Sequence, residues 1–223
     1  MNYELFIAKR IIAGKKYKNS ISSPIIKIAI TAIALGIIIM LIAVATGAGL
    51  QYKIRDKMAG FKGHIQIVNY DANNSDVSTT AIKKEQDFYP TFKHVKGIKN
   101  VQIFANKAGI LRTKTDFEGI IFKGVSTDYD WTFFKEYLIA GRIPDFNQKR
   151  TRDVLLSKTI INRLQLQLND TINVTFFKSK ASKLPSNRKL VITGIYNTGF
   201  LEFDKNIMIG DIRQVQRLNR WNE

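Results

Sequence analysis

Between Ile28 and Leu50 the sequence runs for 23 positions without a charged side chain, and that stretch limits what the rest of the chain can be. As an α-helix rising 1.5 Å per residue it would measure about 34 Å, enough to cross a hydrocarbon layer of roughly 30 Å. It holds seven Ile, three Leu, one Val and one Met. Each Ile, Leu or Val favours insertion by roughly 0.3 to 0.6 kcal/mol, so together they outweigh the interspersed Gly and Thr. Residues 25–50 are read as a transmembrane helix with membrane lipid around it.

The flanks orient it. Lys9, Arg10, Lys15, Lys16, Lys18 and Lys27 precede the run against a lone Glu4, the imbalance that keeps a segment cytoplasmic. Lys53, Arg55, Lys57 and Lys62 follow it, opposed by Asp56, and reduce the contrast without reversing it. A cleaved signal peptide is the competing reading, but the leader is long and the apolar run exceeds the usual h-region of about 7–15 residues. Ala32 and Gly36, then Ala43 and Gly47, recur four apart, which brings small residues onto one face where another helix can approach. Tyr3, Phe6, Ile7 and Ile11 share a side of a short helix within residues 1–24, as expected of a segment lying along the cytoplasmic interface.

Residues 51–223 then form an exported domain, entered through a helical stalk over 51–60. Strands are predicted at His64–Val68, Val101–Ala105, Gly109–Thr113, Glu118–Val125, Asp153–Leu156, Thr171–Phe177 and Lys189–Tyr196. Helices are predicted at Lys84–His94 with an interruption near Pro90, and at Trp131–Ile139, Lys158–Leu166 and Ile212–Trp221. Asp211 is placed to cap the last of these. Tyr70–Thr80 reads as an exposed loop, and Gly141–Arg152 as either a surface loop or a divider between subdomains. Strands interspersed with helices make this an α+β chain, one transmembrane helix joined to a mixed α/β domain.

Composition and motifs narrow the chemistry. The net charge of +17 is spread along the chain with no nucleic-acid-binding motif, so no nucleic acid is expected as a partner. With no cysteine and only His64 and His94, neither beside a carboxylate at ligand spacing, no metal site is expected. There is no G-x-S-x-G elbow, P-loop or dinucleotide glycine pattern, so neither catalytic residues nor a cofactor are assigned and any nucleotide energy must come from a partner. Glu202 and Asp204 are read as part of a solvated edge or turn.

Several segments, in order, resemble the permease subunits of lipoprotein-releasing ABC transporters, the LolC/LolE type within the MacB and FtsX superfamily. They are Glu4–Arg10, Ile33–Gly36, Gly60–Ile65, Lys123–Val125, Thr193–Gly199 and Leu201–Asp204, with Ser126-Thr127 standing where the family has Asp-Pro. The resemblance covers the N-terminal half of such a permease. It implies a periplasmic domain of the MacB-like core type with porter and sabre-like parts, carried on the first of four transmembrane helices in the bacterial inner membrane. It also implies a cytoplasmic ABC ATPase subunit, a second permease copy or paralogue, lipoprotein cargo and a periplasmic lipoprotein chaperone. Lys183, Leu184, Pro185, Asn187 and Arg188 match the hairpin that meets the chaperone, while Gly36, Met40, Leu41 and Val44 are candidates for cargo or helix contacts in the membrane. A MacB-like efflux component, or an FtsX-like anchored adaptor that activates a periplasmic partner, is the alternative.

Overall fold

The computed structural model describes residues 3–13, 22–70, 77–92, 95–147, 149–177 and 185–221. The chain divides into two compact units, Met1–Asp56 and Lys57–Glu223. In the first unit α1 covers Tyr3–Ala13, and the long helix α2, Ser22–Lys62, supplies most of the remainder, its residues from Lys57 onward belonging to the second unit. Every side chain from Pro24 to Leu50 is exposed. From Ile28 to Leu50 this exposed surface carries no charge and is mostly apolar, which suits a lipid solvent, and α2 is long and apolar enough to cross a membrane. The Thr31 hydroxyl folds back onto the Lys27 and Ile28 carbonyls at 3.0 and 2.9 Å, so the polar atom is satisfied inside the helix.

Among the described residues the second unit is built on seven strands. They are β1 Phe104–Arg112, β2 Phe117–Val125, β3 Leu138–Gly141, β4 Asp153–Ser157, β5 Thr171–Phe176, β6 Ser186–Tyr196 and β7 Ile207–Asp211. Four helices accompany them, α3 Thr132–Tyr137, α4 Lys158–Arg163, α5 Leu201–Asp204 and α6 Ile212–Asn219. The sheet order is β3-β6-β4-β7-β2-β1-β5, and β5 pairs again with β6, so six strands close into a ring. β6 makes the closure possible through its length: Ser186–Val191 pairs with β5, and Val191–Tyr196 pairs with β4. β3 continues beyond β5 along the same edge, opposite Gly194–Tyr196.

Alternation along the strands divides the apolar residues between two cores. Met208, Phe122, Val154 and Leu156 join the cluster covered by α4 and α6. Ile207, Ile209, Val125 and Leu155 join a second, aromatic cluster with Phe61, Phe134, Tyr196 and Phe203.

The structure corrects several expectations. The strands predicted at Val101–Ala105 and Gly109–Thr113 are one strand, β1, which carries the buried Lys107 between them. Its ammonium is held by Asn219 Oδ1 at 2.6 Å, so the polar stretch need not break the ladder. His64–Val68 joins no ladder among the described residues, and Ile65 and Ile67 are exposed. Residues 84–92 form turns and extended chain rather than a helix, and His94 lies outside the described residues. Pro90 removes a backbone donor and disfavours helical geometry at Tyr89, while the Tyr89 hydroxyl donates to Asp128 at 3.2 Å. The helix predicted to Ile139 stops at Tyr137, where the chain turns into β3. α4 ends short of Leu166, with Gln165 in a left-handed conformation, and α6 ends before Arg220, which is also left-handed. Gly141–Arg152 links β3 to β4 inside one compact unit and is not a divider.

Asp211 caps α6 as its position suggested, accepting from Arg213 N at 2.9 Å. It also accepts from Thr151 N at 3.0 Å and pairs with the Arg213 guanidinium at 2.7 Å, while being 1% exposed. Replacing it by Ala leaves these donors without their acceptor, and a loss of about 2–3 kcal/mol is expected. Denaturant unfolding of Asp211→Ala against the wild type measures it.

Candidate functional site

The last turn of α2 ends inside the aromatic core of the second unit. Phe61 is 2% exposed and stacks on Phe203 with ring centroids 4.1 Å apart and planes 3° from parallel. Phe134 meets Phe61 edge-on at 5.6 Å. The neighbouring residue has to be Gly60, because a Cβ there would lie 2.3 Å from the Phe133 ring. Gly63, at φ 86°, closes the helix by donating its N–H to the Ala59 carbonyl at 2.7 Å.

Polar contacts hold the same turn. Lys57 Nζ donates to the Thr198 carbonyl at 2.6 Å and lies 5.3 Å from the centre of the Tyr137 ring. The Thr198–Gly199 loop is in turn fixed by Asp204, whose carboxylate accepts from Thr198 Oγ1 at 2.9 Å, Thr198 N at 3.3 Å and Gly199 N at 3.0 Å. The Asp204 carbonyl accepts the Ser157 hydroxyl, and Ser157 caps α4 by accepting from Ile160 N. A continuous set of contacts therefore runs from the end of α2 through Thr198 and Asp204 to the start of α4.

Beneath Phe61, Lys123 projects from β2 and donates to the Phe61 carbonyl. Its Nζ lies 4.9, 5.6 and 5.8 Å from the rings of Phe61, Tyr129 and Phe104. No carboxylate pairs with it among the described residues. Burial, and then the nearby Lys62, lowers this ammonium from the ordinary lysine value to about 7. Burial beside Asp204 raises the Tyr196 phenol well above its usual range, and its hydroxyl donates to the Ile207 carbonyl at 2.9 Å.

Glu202 and Asp204 do not form the solvated edge read from the sequence. Both lie on α5, where Glu202 is exposed and pairs with Lys205 at 3.0 Å, whereas Asp204 is 2% exposed and bound to backbone. Of the hairpin candidates, Lys183 and Leu184 lie outside the described residues. Pro185 is exposed, Asn187 Oδ1 accepts from Thr175 Oγ1 at 2.8 Å, and Arg188 is half-buried near Arg217 and Arg150. Along β6 the rise of about 3.3 Å per residue puts Arg188 roughly 26 Å from Tyr196. Met40, Leu41 and Val44 are exposed on α2, and a Cβ at Gly36 would meet nothing within 4 Å.

Sequence reasoning did not assemble Lys57, Phe61, Lys123, Thr198, Phe203 and Asp204 into a site. The signal was present in the order of the motifs: Gly60–Ile65, Lys123–Val125, Thr193–Gly199 and Leu201–Asp204 supply all of these residues but Lys57.

The family model for the MacB-like periplasmic core domain matches residues 28–222. The chain belongs to this family. It is 20% identical over 222 residues to the lipoprotein-releasing system transmembrane protein LolC of Neisseria meningitidis serogroup B (strain ATCC BAA-335 / MC58), an alignment covering 97% of this chain and 51% of that protein. The chain thus spans about half the length of the curated relative it matches. It is also similar to the crystal structure of the extracellular domain of the noncanonic ABC-type transporter YknZ from Gram-positive bacteria. That similarity has a TM-score of 0.41 and 17% identity, covering 56% of this chain and 60% of the other. Membership of the MacB-like family agrees with the superfamily indicated by the sequence motifs and with a mixed α/β domain following one apolar helix.

Phe61→Ala would open a cavity between Phe203 and Phe134. The expected cost is about 3–5 kcal/mol, and Phe61→Leu should cost less. Thermal and denaturant unfolding of both variants tests the ordering.

Proposed function

We propose that this chain is the N-terminal portion of an ABC transporter permease, with α2 in the bacterial inner membrane, its N-terminus cytoplasmic and the Lys57–Glu223 unit periplasmic. Within that frame it serves lipoprotein release. A partner ATPase and a second permease complete the machine, lipoprotein is the cargo, and a periplasmic chaperone receives it at the hairpin following β5. The reading is supported by membership of the MacB-like family and by a relative described as a lipoprotein-releasing transmembrane protein that aligns with nearly the whole chain.

The observation that carries the mechanism is Phe61. The helix that holds the apolar run also supplies a buried core residue to the sheet-bearing unit, so its last turn cannot shift without moving Phe203, the Thr198 loop or both. ATP hydrolysis in the partner would displace α2, and the junction would pass that displacement to α5 and β6. Met40, Leu41 and Val44 would meet the cargo acyl chains or neighbouring helices, with Gly36 allowing close approach.

The test replaces Arg55 and Asp56 together by glycine, softening the stalk before the packed turn. Lipoprotein release from membrane vesicles containing the permease and its ATPase should fall at least tenfold, while the melting of the Lys57–Glu223 unit stays unchanged. Release at the wild-type rate would refute coupling through the stalk. A wild-type complex that exports a small molecule and leaves lipoproteins in the membrane would refute the cargo assignment in favour of a MacB-like efflux component.

A further inference from the structure

Lys123 is a buried cation that the transport reading does not use. It sits on a strand paired on both sides, with Asn106 opposite on β1 and Ile209 opposite on β7, so the lysine backbone cannot move out to solvent by itself. The cover over it is the last turn of α2, whose Phe61 carbonyl takes one of its three donors. A small cleft of about 60 Å³, lined by Phe61, Lys62, Gln66, Phe104, Lys123 and Phe203 among others, borders this cover and is the natural place for it to lift.

The surroundings give the ammonium little compensation. From α2 come the Phe61 carbonyl and the like-charged Lys62, and from β1 the Phe104 ring. From the loop before α3 comes Tyr129, whose hydroxyl is buried without a hydrogen-bond partner among the described residues, with Asp130 next to it. From α5, Glu202 lines the cleft but pairs with Lys205, while Asp204 is occupied by Thr198 and Gly199. Lys57 is engaged at the Thr198 carbonyl. The carbonyl end of a helix favours a cation, but removal from water opposes it more strongly, and the ammonium titrates near 7.

We propose that the junction is a proton-coupled latch, closed around a neutral Lys123 amine and opened around an ammonium, so that lifting the last turn of α2 takes up one proton. The sign follows from linkage. With the closed-state value near 7 and the water-exposed value near 10, the open form binds more protons throughout that window, so opening becomes easier as pH falls. Between those limits the opening constant changes about tenfold per pH unit, and below the lower limit both forms are protonated and the dependence ends. The device works on the junction itself, whatever the cargo.

Hydrogen exchange of the full chain in lipid nanodiscs, followed for the peptide covering residues 57–66 and corrected for intrinsic rates, tests it. In the wild type the opening constant should rise about tenfold per unit as pH falls from 9 to about 7.5 and level off below about 6.5. Lys123→Met should remove the slope. A flat wild-type profile, or an unchanged slope in Lys123→Met, overturns the proposal. Because that variant could fail to fold, lysine side-chain NMR on the wild type gives an independent reading. A Lys123 midpoint near 7 supports the latch, and one near the ordinary value of about 10 overturns it.

Discussion

Burial of one ring at the end of a membrane-type helix is the constraint from which the junction follows. Phe61 lies between Phe203 and Phe134 with almost none of its surface exposed, and removing that much aromatic area from water favours the closed arrangement by several kcal/mol in order of magnitude. Because the ring must be there, Gly60 must lack a side chain, Gly63 must turn the chain away, and Lys123 must lie beneath the helix end. These residues would otherwise look unrelated.

The closed strand order gives this junction a firm base. β6 is paired along both edges, so its C-terminal end at Tyr196 is fixed before the chain enters the Thr198 loop. Asp204 then binds that loop through backbone and hydroxyl donors, and its own carbonyl is tied to the cap of α4. Lys57 therefore meets a loop that is held from both its backbone and its hydroxyl side. The packing cluster under α4 and α6 belongs to the opposite faces of the same strands, which is why one sheet can support two cores.

How much of this was legible depended on whether a signal was local. The apolar run, the capped α6 and strands β2, β4 and β5 were readable because periodicity, charge exclusion and turn residues lie within each segment. β7 was not, since Ile207–Asp211 is buried on both faces and shows no alternation, and it lies between two helices. The helix-to-strand change at Leu138 was hidden because the apolar spacing suits either structure and the pairing with Tyr196 decides it. Ile65 and Ile67 have the alternation of a strand, but a ladder needs a partner, and the described residues supply none. The junction was least legible, because its members are far apart in sequence and their chemistry is defined by what covers them.

The two buried charges at the junction show why burial has to be judged by partners. Asp204 and Lys123 are both almost inaccessible, yet they do not pair with each other. Asp204 has its oxygens filled by donors that are fixed in the fold, so its side chain is held where it stands. Lys123 has one carbonyl and the faces of three rings, a set that leaves two of its donors without a strong acceptor. Taking a proton off Lys123 relieves that shortage, while the Asp204 oxygens are already occupied by Thr198 and Gly199. The anion therefore acts as a fixed anchor for the Thr198 loop, and the cation is the member of the pair whose charge can change with the position of the helix.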